Sequence, residues 1–535
     1  MSLDSNRMIV DVFAEACRDY ADSPAFTCIN HTISFRELDE LSARFASYLQ
    51  NHTNLKPGDR IAIQLPNVLQ YPVAVFGALR AGLVVVNTNP LYTATELKHQ
   101  LTDSGAKALV VLANVAGHAS EVVAETDVEQ VILTELADLH PPLKRTLINF
   151  VVKHIKKMVP AFSFNNSIPF NKALASGATR PWQPVSGIPD DVAVLQYTGG
   201  TTGVAKGAML THRNLVANML QVNLHMNDVF KKNQDLFVAP LPLYHIYAYT
   251  IHCMCALSLG NHNLLIPNPR DIPGFVKALK GVPFTCFVGL NTLFNALIRN
   301  TDFRALDFSN LRCTSSGGMA LTHDAAKRWE ELTGVPVSEG YGLTETSPVV
   351  CINPRFSIKL GTVGVALPET EVKVISEDGE SLPVGEAGEL CVRGPQVMKG
   401  YWQRPEATRE ILDDEGWLKT GDIATIDEDG YVKIVDRKKD MINVSGFKVF
   451  PNEVEDVLCE HPDIVEAAVV GVEDEESGEV VKAFVVCSNS ELTEKEIRSF
   501  ARESLTGYKV PHYVEFRDEL PKTNVGKVLR RKLKE

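Results

Sequence analysis

The first part of the chain alternates short apolar runs with amphipathic segments. Short, nearly uniform apolar runs predict buried strands, and apolar residues at helical spacing predict helices. The successive segments are RIAIQL (60–65), VAVFGALRAG (73–82), VVV (84–86), TATELKHQLTDSG (93–105) and KALVVL (107–112). Because strands and helices follow each other in turn, the pattern predicts a parallel sheet covered by helices.

The pattern changes after residue 437, where the predicted elements become shorter. They are a helix at 452–459, strands VEAAVVGV (465–472) and VKAFVVC (481–487), and a helix from Thr493. Thr493 is followed by Glu496 in the spacing of a capping box, as Thr93 is by Glu96. These elements indicate a second, smaller unit of the α+β type.

The predicted fold class is therefore α/β. Residues 1–437 are expected to form a large domain of mixed, mostly parallel sheets covered by helices, and 438–535 a small, mobile α+β domain. The charged run DRKKD (436–440) lies between the two patterns, and we expect a hinge at 437–441.

Composition narrows the class of protein. A hydrophobic fraction of 45% with 22% charged residues is that of a soluble globular protein, and the net charge of −13 argues against a general nucleic-acid binder. The ten cysteines include no C-x-x-C pair, so neither a zinc site nor a disulfide framework is expected. The first twenty residues lack the features of a signal peptide, and Arg80 interrupts the most apolar stretch, so a cytoplasmic protein without a membrane span is expected.

One basic segment, residues 143–162, departs from this acidic background. Its apolar residues recur at helical spacing: Ile148, Val151, Val152, Ile155 and Val159. Its basic side chains are Lys144, Arg145, Lys153, Lys156 and Lys157. Two interpretations stay open, a helix at the surface of an anionic bilayer or an ordinary amphipathic helix packed on the core.

A glycine-rich run, TGGTTGVAKG (198–207), is a candidate phosphate-binding loop. Glycines let backbone N–H groups converge on an anion, while threonine hydroxyls and a lysine add donors. The run is not a Walker A loop, because Ala205 precedes Lys206 and Gly207 follows it. It follows the strand-like DVAVLQY (191–197) and precedes a predicted helix at 211–222, and this predicts a strand-loop-helix arrangement. The alternative is a flexible turn without a ligand.

Five motifs in order carry a family resemblance. They are YTGGTTGVAKG (197–207), EGYGLTET (339–346), GWLKTGD (416–422), DRKKDMINVSGFKVFPNEVE (436–455) and PKTNVGKVLRR (521–531). Their order is that of acyl-adenylate-forming enzymes, and the chain resembles the bacterial long-chain fatty-acid-CoA ligases among them. The resemblance implies that ATP and Mg²⁺ convert a fatty acid to an acyl-adenylate with loss of pyrophosphate, after which coenzyme A takes the acyl group and AMP leaves.

The resemblance also implies roles for individual residues. Catalytic roles fall to Lys527, Glu345 and His245, and Mg²⁺ binding to Thr198 and Glu345. Binding of ATP or AMP falls to Thr198, Gly199, Gly200, Thr201, Thr202, Gly203, Lys206, Gly317, Gly318, Glu339, Gly340, Tyr341, Gly342, Thr344, Asp422 and Arg437. Within that set, Tyr341 would stack on adenine and Asp422 would accept hydrogen bonds from the ribose hydroxyls, supported by Arg437.

The small domain and the acyl pocket complete the implied site. Rotation about Lys439 would exchange Lys527 for the segment containing Ser445 and Gly446, beside which the pantetheine arm of coenzyme A would pass. Tyr247 and Tyr249 are both candidates for an aromatic gate to the acyl pocket.

Two further features of the small domain are Asn443 and the basic tail of the chain. Asn443 replaces a lysine of several relatives, so its role is open. The remaining tail cations, Arg530, Arg531, Lys532 and Lys534, are expected to be solvated.

The main hypothesis is thus a long-chain fatty-acid-CoA ligase. The alternatives are a ligase for medium-chain or aryl acids, and a non-catalytic binder of acyl groups or nucleotides. A homodimer and peripheral contact with an anionic membrane through 143–162 are further expectations, and no nucleic-acid partner is expected.

Overall fold

The computed structural model describes residues 3–198, 205–474, 477–523 and 528–534. Their strands form four sheets of seven, nine, four and five strands. The first three sheets precede residue 438, and the five-stranded sheet follows it.

The strands, numbered along the chain, are as follows. They are β1 (Pro24–Cys28), β2 (His31–Ser34), β3 (Arg60–Gln64), β4 (Val84–Asn87), β5 (Ala106–Leu112), β6 (Gln130–Thr134), β7 (Ser167–Pro169), β8 (Val192–Thr198), β9 (Lys206–Thr211), β10 (Leu236–Ala239), β11 (His262–Leu265), β12 (Cys286–Gly289), β13 (Cys313–Gly317), β14 (Val337–Gly342), β15 (Val349–Ile352), β16 (Val365–Ala366), β17 (Glu371–Ile375), β18 (Gly388–Arg393), β19 (Leu418–Ile426), β20 (Val432–Arg437), β21 (Ile442–Val444), β22 (Phe447–Val449), β23 (Ile464–Asp474), β24 (Gly478–Cys487) and β25 (Tyr513–Phe516).

The α-helices are numbered in the same way. They are α1 (Ile9–Asp19), α2 (Phe35–His52), α3 (Gln70–Arg80), α4 (Ala94–Ser104), α5 (Ala116–Val122), α6 (Pro142–Phe150), α7 (Phe170–Gly177), α8 (His212–His225), α9 (Ile246–Ala248), α10 (Ile272–Leu279), α11 (Asn291–Arg299), α12 (Thr301–Arg304), α13 (His323–Thr333), α14 (Pro405–Ile411), α15 (Pro451–Cys459), α16 (Glu494–Ser504) and α17 (Arg531–Lys534). Two π-helical segments, Val151–Ile155 and Tyr249–Ala256, continue α6 and α9.

The two large sheets are mostly parallel. The seven-stranded sheet has the order β7-β6-β5-β3-β4-β8-β9, and only β9 is antiparallel to its neighbour. The nine-stranded sheet has the order β16-β15-β14-β13-β12-β10-β11-β1-β2, with antiparallel pairing only at its two ends. The predicted fold class is confirmed.

Helices α2, α3 and α8 join the two large sheets in one apolar core. The core holds Ile61 of β3 and Phe237 of β10 together with Phe45, Phe76 and Val216 of these helices. Because each sheet buries one face against the same helices, the carboxyl ends of β8, β13 and β14 are held in a fixed relation.

The small domain has a core of its own. Its five-stranded sheet has the order β22-β21-β24-β23, and β25 pairs in parallel with β24. Val454 of α15, Val469 of β23 and Ile497 of α16 lie in its buried cluster. Both predicted capping boxes are present, at Thr93 with Glu96 and at Thr493 with Glu496.

Candidate functional site

The glycine-rich run, of which residues 199–204 lie outside the described residues, connects two antiparallel strands. Thr198 ends β8 and Lys206 begins β9, and the two residues are directly paired. The strand predicted at 191–197 and the helix predicted at 211–222 are present as β8 and α8, but KGAMLT (206–211) forms an unpredicted strand, β9, between them. Of the predicted loop ligands, Gly199, Gly200, Thr201, Thr202 and Gly203 lie outside the described residues.

A tyrosine connects this hairpin to the candidate metal ligand. The Tyr401 hydroxyl donates to Glu345 Oε1 at 2.6 Å, and the Lys206 ammonium lies 5.1 Å from the centre of the Tyr401 ring. A cation over an aromatic face is attracted to it. Tyr401 was not predicted from the sequence, where its only local signal is an aromatic pair with Trp402 after Gly400.

Glu345 faces a cavity of about 330 Å³. Its lining includes Leu343, Glu345, Glu389, Tyr401, Thr420 and Lys438. Thr344 and Glu345 belong to a short 3-10 turn, and Met398 N–H donates to the Glu345 carbonyl at 2.8 Å. These contacts hold the carboxylate at the boundary between the large domain and the predicted hinge.

The predicted nucleotide residues converge beside this cavity. Tyr341 O–H donates to Asp422 Oδ2 at 2.5 Å, and Arg437 Nε lies 3.3 Å from Asp422 Oδ1. Asp422 is only 4% exposed. Burial raises the pKa of Tyr341 well above its ordinary value, and the neighbouring Asp422 carboxylate raises it further. The phenol therefore stays a neutral donor and keeps the carboxylate oriented.

Glycines flank Tyr341 in β14 and end the paired strand β13. Gly317 is paired with Gly340, and Gly318 has a φ of +85°. A Cβ on Gly342 would lie 2.0 Å from the Pro348 carbonyl oxygen, so no side chain fits there. We call these strand ends, residues 315–318 and 339–342, the nucleotide ledge, after the candidate role of their glycines, which allow close backbone approach.

Glu339 is half-buried in this ledge. Its Oε1 accepts from Leu321 N–H at 3.1 Å. Burial raises the pKa of Glu339 to about 8, and the charge of Asp456 on α15 contributes to the increase. A helix of the small domain therefore lies close to the nucleotide ledge.

The structure distinguishes the two candidate gate tyrosines. Tyr249 is fully buried in the large core. The Tyr247 hydroxyl lies 3.2 Å from Ser315 Oγ, and a Cβ on Gly317 would approach its ring to 3.2 Å. Tyr247 therefore borders the nucleotide ledge, while Tyr249 does not. His245 begins α9 and accepts the Tyr247 N–H at 3.3 Å through Nδ1, so it fixes the start of this segment.

An apolar cavity continues beyond Ser315. Its lining includes Met226, Phe230, Phe237, Ile251, Val288 and Ser315. The free volume is about 20 Å³, enough for about one water molecule. The side chains must therefore move apart before a chain of several carbons can enter.

Ser445 and Gly446 form the two-residue turn between β21 and β22. Their φ angles are +51° and +90°, as a type I′ turn requires. Asn443 Oδ1 accepts from Gly446 N–H at 2.9 Å, so Asn443 stabilises this turn. The adjacent Lys448 pairs with Glu377 of the four-stranded sheet.

The predicted hinge is surrounded by charge. Lys439 lies between Arg437, which contacts Asp422, and Asp440, which contacts Arg530. The expectation that Arg530 is solvated is wrong, because its side chain is only 18% exposed and is enclosed by carboxylates. Lys527 lies outside the described residues.

Comparisons with known proteins identify the family. Residues 13–402 match the model of the AMP-binding enzymes, and residues 453–527 match the C-terminal domain of AMP-binding enzymes. The chain belongs to the AMP-binding enzyme family. This result confirms the family resemblance seen in the motifs.

Full-length relatives and a solved structure agree with this family. The chain is 53% identical to a long-chain-fatty-acid–CoA ligase of Escherichia coli O6:H1, over 99% of this chain and 95% of the relative. It is 50% identical to a long-chain-fatty-acid–CoA ligase of Haemophilus influenzae, over 98% and 94%. The ATP-bound structure of MatB from Rhodopseudomonas palustris matches with a TM-score of 0.80 and 29% identity, covering 98% of each chain.

Proposed function

We propose that the protein activates long-chain fatty acids: it joins the acid to AMP with release of pyrophosphate, and then transfers the acyl group to coenzyme A with release of AMP. The observation that carries this proposal is the position of Tyr247. One side of it borders Gly317 on the nucleotide ledge, and its hydroxyl reaches Ser315, which lines the apolar cavity. A carboxylate on the ledge would therefore have an apolar pocket behind it.

This arrangement supports an acyl-adenylate intermediate. Asp422, oriented by Tyr341 and Arg437, offers a buried acceptor to ribose hydroxyls. A fatty carboxylate is a poor electrophile, and binding its phosphate partner requires positive charge and N–H donors. Lys206 supplies one such charge at the base of the glycine-rich hairpin.

The residues near Glu345 suit Mg²⁺. This ion prefers oxygen ligands and is commonly held by one or two carboxylates together with substrate phosphates. The Glu345 carboxylate borders an open cavity, and Thr198 ends the adjacent hairpin strand. When bound, Mg²⁺ would neutralise charge on the phosphates.

The small domain supplies the second half-reaction in this proposal. Gly446 has no atom within 4 Å of the position of a Cβ, so the turn with Ser445 presents bare backbone. After rotation about Lys439, this turn would lie beside the pantetheine arm of coenzyme A.

Pyrophosphate release distinguishes the main hypothesis from its alternatives. With ATP and Mg²⁺, we expect release to be fastest with long-chain acids, and acyl-CoA to form only when coenzyme A is present. Acids of increasing length and aryl acids would be assayed with and without coenzyme A. Release confined to medium-chain or aryl acids would show that these acids, and not long-chain fatty acids, are the substrates. No release with any acid would indicate a non-catalytic binding protein.

We also propose that residues 143–162 contact an anionic membrane surface at the cytoplasmic face. The apolar stripe predicted from sequence is mostly packed, with Val152 buried and Ile155 the exposed exception. A second apolar set is exposed: Leu143 (89%), Leu147, Phe150, Ile155 and Met158. Lys144, Lys153, Lys156 and Lys157 are exposed beside it. In a chain of net charge −13, this combination suits anionic headgroups.

Vesicle binding tests this contact. Replacing Lys153, Lys156 and Lys157 by glutamine is expected to weaken binding to phosphatidylglycerol vesicles about 100-fold at low salt, since each lysine contributes about 1 kcal/mol near such a surface. A matched control replaces the exposed Lys231, Lys232 and Lys280. Equal binding of both variants would contradict the proposal. Among the described residues, no helix is long and apolar enough to cross a bilayer.

A further inference from the structure

Arg530 connects the end of the chain to both sides of the hinge. Its Nη2 donates to Glu455 Oε1 and Oε2 at 2.8 and 2.9 Å and to Asn452 Oδ1 at 2.8 Å, both on α15. Its Nη1 lies 3.3 Å from Asp440 Oδ2 and 3.8 Å from Asp436 Oδ1. One guanidinium therefore contacts three carboxylates.

These carboxylates belong to different parts of the molecule. Asp436 is fully buried and lies in β20, before the hinge, whereas Asp440 lies within the hinge and Glu455 follows it. Asp436 also accepts from Asn452 N–H at 2.7 Å. A rotation of the small domain about 437–441 would carry Arg530 and Asn452 away from Asp436 and break these contacts. The contacts are thus specific to one orientation of the two domains.

Asp436 and Arg530 each shift the pKa of the other in the direction that favours its charged form. Burial, with a smaller contribution from the charge of Glu455, raises the pKa of Asp436 to about 6, against the opposing effect of Arg530. Burial lowers the pKa of Arg530, but Glu455 and Asp436 reverse the effect and leave it raised. Removing Arg530 would leave buried carboxylates without their cation, a change that is strongly unfavourable in this orientation.

We propose that Arg530 is a positioning residue for adenylation: by contacting Asp436 across the hinge, it stabilises the orientation in which Arg530 and α15 lie against Asp436 of β20. Asp436 is adjacent in sequence to Arg437, which contacts the ribose-binding candidate Asp422. Arg530 follows Lys527 by three residues, so fixing Arg530 also limits the reach of that lysine. This inference rests on the proposed function.

Hinge proteolysis tests the contact without relying on catalysis. Arg437, Lys438 and Lys439 are trypsin sites, and we expect R530Q to be cleaved there at least about tenfold faster than the wild type, because the domains separate more often. The matched control is R531Q, since Arg531 is the exposed neighbour. Cleavage of R530Q at the rate of R531Q would overturn the proposal, whatever substrate the enzyme uses.

The half-reactions test the positioning role. R530Q is expected to lower the rate of acid-dependent ATP–pyrophosphate exchange about tenfold or more, with little change in KM for ATP, and to spare thioester formation from supplied acyl-AMP. R530K should restore part of the exchange rate, since it keeps the charge but loses the two-pronged contact. Equal loss in both half-reactions would overturn the proposal.

Two further variants guard against a general folding defect. In a double-mutant cycle, D436N combined with R530Q should slow exchange no more than R530Q alone, because one contact is removed by either change. Additive losses would overturn the proposal. If R530Q lowers the melting temperature of the whole chain, R530K is assayed in its place. In R530K the rate of adenylation must fall more than the rate of thioester formation, and equal losses would count against the positioning role.

Discussion

Replacing Asp422 with alanine is expected to lower kcat/KM for ATP in the adenylation half-reaction by about 10²- to 10⁴-fold. The carboxylate is 4% exposed, accepts the Tyr341 hydroxyl and pairs with Arg437. It is the candidate acceptor for two ribose hydroxyls, and a hydrogen bond to a charged group contributes about 1.5–3 kcal/mol. Two such bonds correspond to that range of rates. The measurement is acid-dependent ATP–pyrophosphate exchange.

The controls for this prediction come from the same sheet and the same network. D427A removes an exposed carboxylate that pairs with Lys359 and should leave exchange unchanged. Y341F removes only the hydroxyl that orients Asp422 and should lower kcat/KM less than D422A does. A D422A variant that melts like the wild type and exchanges at its rate would exclude Asp422 from the nucleotide site.

Local patterns predicted the elements well. The capping boxes at Thr93 and Thr493 have the predicted geometry, because a cap depends on residues within one turn. Strands β8, β23 and β24 likewise lie where apolar runs predict them. The helix predicted at 211–222 is present as α8, but strand β9 before it was missed, since KGAMLT alternates weakly and its pairing with β8 depends on the rest of the sheet.

Contacts between distant segments were not predictable in this way. Tyr401 reaches Glu345 across 56 positions, and Arg530 reaches Glu455 across 75. Neither residue has a local pattern that distinguishes it from an ordinary surface residue, so only the fold brings the partners together. The choice between Tyr247 and Tyr249 was of the same kind, because both lie in one apolar segment and only packing against Gly317 separates them.

The roles of Asp422 and Glu345 came from motifs, and the structure adds their partners. The domain boundary at 437 and the individual residue roles stay predictions. What the geometry contributes is a pair of orienting tyrosines, Tyr341 on Asp422 and Tyr401 on Glu345. Each tyrosine donates to a carboxylate and thereby restricts its rotation. We therefore expect Asp422 and Glu345 to bind different ligands, ribose hydroxyls and Mg²⁺, although each carboxylate is oriented by a hydrogen bond from a tyrosine.

Replacing Glu345 with glutamine is expected to lower the maximal rate of pyrophosphate exchange by about 10²- to 10⁴-fold and to raise the Mg²⁺ concentration needed for half of that rate. The physical reason is that a metal ion stabilises developing phosphate charge by several kcal/mol, and a neutral amide holds it less well than a carboxylate. Titration of Mg²⁺ at fixed ATP gives both values. Equilibrium binding of Mn²⁺ in the presence of ATP gives a second readout that needs no turnover.

Two comparisons make this prediction specific to Glu345. E410Q alters an exposed carboxylate that lines the same cavity and should leave the Mg²⁺ dependence unchanged. Y401F removes the hydroxyl 2.6 Å from Glu345 Oε1 and should shift the Mg²⁺ dependence in the same direction, but less. Because the tyrosine acts through the carboxylate, Y401F should add little to E345Q. Additive losses would show that Tyr401 acts on the phosphates independently, and an unchanged Mg²⁺ dependence in E345Q would place the metal elsewhere.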